Sequence, residues 1–133
     1  IIESVKGRRS RELATFHHRL GMALYGMGDG EGAMSHLDSA FKIDLTNVAI
    51  LRDLGKLCHS NGDLKRAQKT FRALLLQKLK PDSGITKADV YFYLGDISNK
   101  DGDARKAISM LERALSEDKE HAQATELLAQ LKP

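Results

Sequence analysis

Five histidines, one cysteine and three closely spaced arginines are the side chains with chemistry to offer. His17, His18, His36, His59 and His121 show no His-x-x-x-His spacing with a nearby acid, the pattern that puts metal ligands on one helix face. His17 and His18 are adjacent, so on a helix they point about 100° apart and do not chelate together. Cys58 is alone. It can form no internal disulfide and no Cys-x-x-Cys site, and it reads as a small core residue rather than a nucleophile. There is no Ser-His-Asp spacing and no phosphate-cradling loop. The stretch Gly28-Asp29-Gly30-Glu31-Gly32 carries acids that repel phosphate, and it lacks the alternating oxygen ligands and closing Glu of a calcium loop. It reads as a turn between helices. No enzyme activity, metal or cofactor is expected.

The 133 residues suit one domain. Hydrophobic residues make up 41% and charged residues 29%, with no Trp and only 2 Pro. That is a folding composition rich in helix formers. No run of about 18 apolar residues exists to span a membrane. The net charge of +3 reads as spread along the chain. The one dense spot, Arg8, Arg9 and Arg11, reads as a solvated helix start in preference to a phosphate contact. Nucleic acid is therefore disfavoured as a partner. The lone cysteine fits a reducing, cytoplasmic compartment. The chain opens on Ile1-Ile2 without an initiator Met, which suggests a piece of a longer protein whose targeting signals lie elsewhere.

The side chains are positioned by a repeat. Leu-Gly recurs at Leu20-Gly21, Leu54-Gly55 and Leu94-Gly95, with steps of 34 and 40 residues. Seven residues after each glycine comes Gly28, Gly62 or Gly102, followed by Asp29, Asp63 or Asp103. Alanine follows at Ala33, Ala67 and Ala107, and a bulky apolar residue four later at Leu37, Phe71 and Leu111. Each unit is a helix, a Gly-Asp break and a second helix. The break glycine ends one helix in a left-handed conformation and the aspartate caps the next. Glycine inside a helix costs about 1 kcal/mol against Ala, so its repetition argues for close helix approach opposite the alanines.

This pattern resembles the tetratricopeptide repeat, over essentially the whole chain. The resemblance implies an all-α, right-handed superhelical solenoid of helix-turn-helix hairpins. Repeats are expected at residues 14–47, 48–81 and 88–121, with a linker insertion at 82–87 and a closing helix at 122–133. Departures are visible. The family's aromatic before Leu-Gly is kept only at Tyr91, with His17 and Leu51 elsewhere; the aromatic after it is replaced by Leu24, Cys58 and Ser98. The proline closing each repeat is absent at Leu45, Leu79 and Lys119. Leu74 stands where Ala40 and Ala114 stand, and should push helices apart or strain the core. On the 74-residue step from Gly21 to Gly95, residues 6–12 align with the linker at 80–86. Residues 1–6 are then expected to end a helix of a preceding repeat.

By the resemblance, first helices line a concave groove. Their register places His18, Arg19, Met22 and Tyr25 there from unit one, and Arg52, Asp53, Lys56 and His59 from unit two. Asp89, Phe92, Tyr93, Asp96 and Lys100 follow from unit three, with Phe92 and Tyr93 as the anchoring pair. The implied function is a protein–protein interaction module that binds a peptide or helical segment in this groove. The carboxylate clamp with which some members hold the heat-shock chaperone tail is not expected. His18, Met22, Asp53, Asp89 and Tyr93 occupy its positions, and two acids would repel a terminal carboxylate. The alternative is a structural spacer or self-assembly element, a homo-oligomer formed through exposed solenoid ends such as Ile1, Ile2 and Val5.

Overall fold

The computed structural model describes residues 4–133. Among the described residues seven helices follow one another: α1 (Val5–Gly26), α2 (Gly30–Ile43), α3 (Val48–Ser60), α4 (Leu64–Leu75), α5 (Lys87–Lys100), α6 (Ala104–Glu117) and α7 (Ala122–Leu131). Helices α1 and α2, α3 and α4, and α5 and α6 pack as hairpins, and each hairpin packs on the next. The molecule is an all-α helical repeat superhelix.

The three hairpin turns are the same device. Gly28, Gly62 and Gly102 take φ of +87°, +80° and +84°, a region that side chains with a Cβ rarely occupy. That twist lets the next N–H reach back to the helix end: Asp29 to Leu24 O, Asp63 to Cys58 O and Asp103 to Ser98 O, each at 2.9 Å. The same aspartates then cap the following helix, accepting from Gly32 N, Arg66 N and Lys106 N.

The core runs between hairpins. Leu37, Leu51, Leu54, Phe71, Leu74 and Val90 are fully buried in one cluster. Leu74 is taken into this cluster beside Ile85 and Val90. The inserted connection contributes Ile85 to the same core. Thr86 caps α5 in a reciprocal capping box with Asp89, and Ile85 and Val90 stand at the two positions of a hydrophobic staple.

One expectation fails. Residues 5 and 6 do not close a separate helix, and 7–12 are not a linker. Val5 to Gly26 is one helix, begun by Ser4 Oγ accepting from Gly7 N at 2.9 Å. The segment aligned with it, 80–86, is broken by Pro81 and by Gly84 at φ +75°; residues 7–12 contain only Gly7 as a weak helix former and no proline. Residues 1–3 lie outside the described residues.

The helix glycines do sit at close approaches. A Cβ on Gly21 would meet Ala33 O at 3.1 Å, and one on Gly95 would meet Leu111 Cγ at 2.9 Å and Ala107 O at 3.3 Å. Gly55 faces Phe71 Cε1, at 3.0 Å, in place of the expected alanine. Overpacking costs about 1–3 kcal/mol, whereas Gly→Ala in a helix gains at most about 1 kcal/mol. Gly95→Ala should therefore lower unfolding free energy by up to ~2 kcal/mol in urea melts. Gly26→Ala, with nothing within 4 Å of the new Cβ, should be neutral or stabilising. A stabilised Gly95→Ala protein would refute the close-approach account.

Candidate functional site

The face made by the first helices is crossed by three imidazole–carboxylate bridges. His18 Nε2 on α1 lies 2.6 Å from Asp53 Oδ2 on α3. His59 Nε2 on α3 lies 2.6 Å from Asp96 Oδ2 on α5. His121 Nε2, at the start of α7, lies 2.8 Å from Asp89 Oδ1 on α5. The first two join consecutive first helices and so couple neighbouring units; the third ties α5 to the N-cap of the closing helix α7. The His121 tautomer follows from its second contact. Its Nδ1 accepts the Ala124 backbone N–H at 3.1 Å, so Nε2–H donates to Asp89.

These carboxylates have further partners. Arg52 donates to Asp53 through Nε at 3.0 Å and Nη2 at 3.1 Å, while its Nη1 donates to Ser83 O at 2.7 Å. Arg52 thereby ties the inserted connection to α3. Asp96 pairs with Lys100 Nζ at 3.1 Å, one turn along α5. Asp89 Oδ2 accepts from Thr86 N at 3.0 Å as part of the α5 cap. Burial pushes the Asp53 carboxyl up, but hydrogen bonds from His18 and Arg52 outweigh it and hold it below the usual carboxylate range. Asp89 is likewise held low: burial opposes, and the Thr86 N–H and His121 prevail.

The aromatic residues divide. Tyr93 lies flat on Phe71, centroids 4.6 Å apart and planes at 4°, with His59 edge-on at 5.1 Å. Burial, then the charges of Asp89 and Asp96, push its phenol up. Tyr93 is thus half committed to the core. Phe92 packs between Tyr93 and the His121 ring, each at 5.6 Å. It lines a cavity of about 220 Å³ with Asp96 and with Gln123, Glu126, Leu127 and Gln130 of α7. The α7 side chains escaped the sequence reading, which treated 122–133 only as a closing helix.

A second cavity, of about 260 Å³, gathers Met22 and Tyr25 from α1, Asp53, Lys56 and His59 from α3, and Tyr93 from α5. Leu57 and Ser60 complete it and were not anticipated. Met22 is 36% and Tyr25 49% exposed. Arg19 is exposed on α1 beside a shallow depression with Phe16, away from this cavity. Cys58 is fully buried, and burial with the Asp63 charge pushes its thiol up to about 11. His17 takes the aromatic column of unit one by stacking on His36, centroids 5.2 Å apart, with their Nδ1 atoms 3.0 Å apart. Among the described residues no three His, Cys, Asp or Glu side chains converge on a metal position. No described helix is long and apolar enough to cross a membrane.

Two sequence profiles of the tetratricopeptide repeat match, over residues 24–84 and 88–121. The chain belongs to the tetratricopeptide repeat family. Solved structures agree with its fold. MamA is 25% identical with a TM-score of 0.77, over 90% of this chain and 62% of that one, so the chain spans less than two thirds of MamA. The N-terminal domain of stress-induced protein-1 from C. elegans is 18% identical, TM-score 0.75, over 93% of this chain and 98% of that one. The first repeat domain of Spaghetti (RPAP3), bound to the HSP90 peptide SRMEEVD, is 13% identical, TM-score 0.73, over 90% of each chain. No curated protein sequence matches significantly.

The two depressed carboxylates fix a pH dependence. Their folded values lie below their unfolded ones, so the unfolded chain takes up protons first as acid is added. The stability they contribute is present above the unfolded carboxylate range and is lost as pH falls through the folded values. Thermal melts should show melting temperature dropping below about pH 4. Asp53→Asn should melt lower at neutral pH and show a shallower acid limb. An unchanged acid limb would show that the His18–Asp53–Arg52 group contributes nothing to stability.

Proposed function

We propose that this domain is a protein-interaction module that holds an extended or helical segment of a partner protein against its first-helix face, within a larger protein. One observation carries the reading. Met22 and Tyr25 remain exposed around a cavity with Lys56, while Asp53, Asp89 and Asp96 are each already paired with an imidazole. Apolar and aromatic surface beside one cation, with the acids already hydrogen-bonded, suits an apolar anchor flanked by an acidic or polar group. His18, Asp53, Asp89, Asp96 and His59 hold the helices in register and so shape the groove. Phe92, with α7, offers a second anchor position.

The peptide-bound Spaghetti domain supports peptide recognition on this fold. It does not carry its ligand over to this chain. A terminal carboxylate would approach His18, Met22 and Tyr93, with Asp53 and Asp89 beside it, and would find no free cation at those positions. We therefore read the partner as different from a heat-shock chaperone tail. The homo-oligomer reading draws on α1, where Val5, Leu13 and Phe16 are 56%, 48% and 57% exposed. Light scattering over a dilution series separates the two, since self-assembly alone makes molar mass rise with concentration.

Peptides selected by display against the chain should bind it in fluorescence polarisation. Tyr25→Ala should weaken that binding by about 1–2 kcal/mol, roughly five- to thirtyfold, and Lys56→Glu by a similar amount for an acidic peptide. Both variants should keep the wild-type melting temperature. Selected peptides that bind both variants as tightly as wild type would place recognition elsewhere.

A further inference from the structure

We propose that the opposite side of the molecule carries a second, independent peptide site: the cavity between α2, α3 and α4, fitted to an acidic segment with one bulky apolar side chain. The cavity measures about 440 Å³. Its accessible apolar wall is formed by Phe41 and Ala73, both half-buried, and is backed by Leu51 and Leu54, which are wholly buried. Lys65 and Lys69 stand exposed at its rim, one turn apart on α4, with Arg66 between them.

The charge here is one-sided. Residues 64–80 contain Lys65, Arg66, Lys69, Arg72, Lys78 and Lys80 and no acid. The whole chain carries +3, so everything outside this segment sums to −3. The even spread of charge expected from the whole-chain count does not hold. Two carboxylates lie near, and both are engaged. Asp63 caps α4 by accepting from Arg66 N at 3.3 Å, and Asp38 accepts from Arg66 Nη1 at 3.2 Å. Lys65 and Lys69 form no ion pair among the described residues.

The geometry selects among anionic partners. A bilayer is planar and cannot reach an apolar wall recessed behind its cations. Nucleic acid would use the lysines but would leave the wall unfilled, with no exposed aromatic ring to stack on. A peptide can do both, its side chain entering the cavity and its acids meeting Lys65 and Lys69. Exposed ion pairs contribute little each, so the apolar anchor supplies most of the affinity. The lysines set selectivity and salt dependence.

The test is a titration of the isotope-labelled chain followed by amide resonances. The probe is a panel of acetylated peptides, Glu-Glu-X-X-Glu-Glu, with X-X varied through Leu, Ile, Met, Phe and Tyr. The controls are Lys-Lys-Leu-Phe-Lys-Lys and Glu-Glu-Ser-Ser-Glu-Glu. At least one panel member should shift the amides of Lys65, Lys69, Thr70 and Ala73 while both controls leave them still. The Lys65→Glu/Lys69→Glu variant, whose changes are on the surface, should fold and bind that peptide at least about tenfold more weakly. Tyr25→Ala should bind it unchanged, which keeps this site separate from the first-helix groove. The proposal is overturned if no panel member shifts those amides at millimolar concentration. It is also overturned if the serine control binds equally, or if single-stranded RNA, dodecanoate or anionic vesicles shift them while the panel does not.

Discussion

Phe71 lies where it does because residue 55 has no side chain. A Cβ on Gly55 would stand 3.0 Å from the Phe71 ring, so the glycine opens the slot that the ring fills. The ring's other face then meets Tyr93 in near-parallel stacking across the junction to the next hairpin. Tyr93 in turn braces His59 edge-on, and His59 bonds Asp96 on the same helix as Tyr93. One missing methyl group within a hairpin therefore sets the contact between hairpins and the geometry of the groove face. In a solenoid, where each unit touches only its neighbours, such a chain of contacts is how local sequence becomes shape.

The parts of the fold legible in the sequence are those that repeat in register. Gly28, Gly62 and Gly102 with their aspartates gave the turns, because left-handed backbone and helix capping are local chemistry. The 74-residue super-period was an alignment without such chemistry behind it. It matched residues 6–12 to a linker that Pro81 and Gly84 alone can break, and Ser4 begins a helix there instead. Leu74 illustrates a third case. Its size was visible, but its full burial in one cluster with residues of α2, α3, α5 and the inserted connection is tertiary information.

The groove was legible as a set of positions and not as a set of roles. Helical register brings Met22, Tyr25, Lys56, His59 and Tyr93 around one cavity. The same register cannot show that His18, His59 and His121 reach across to the acids, because the partners occupy unlike columns. His18 and Asp53 stand three and two residues before their glycines, whereas His59 and Asp96 stand four and one after theirs. A search for His on one first helix and Asp one repeat away, free of column identity, would have found them. Several residues read as ligand contacts instead bond across helices, and Leu57, Ser60 and the α7 side chains line the cavities beside them.

The two faces solve opposite electrostatic problems. On the first-helix face, half-buried carboxylates would be costly alone, and each is matched by an imidazole from another helix or its cap. Those carboxylates are engaged internally, while Lys56, Met22 and Tyr25 are left around the cavity of the same face. On the α4 side Lys65 and Lys69 are exposed and form no ion pair among the described residues, in a chain whose remainder outside 64–80 is net acidic. Helices α3 and α4 belong to one hairpin, and Leu51 and Leu54 form both the hairpin core and the wall of the α4 cavity. Helix α3 therefore contributes to both faces, Leu51 and Leu54 to one and Lys56, Leu57, His59 and Ser60 to the other. The fold can present a groove with hydrogen-bonded acids on one side and a cationic cavity backed by apolar residues on the other because the repeat assigns its first and second helices to different surfaces.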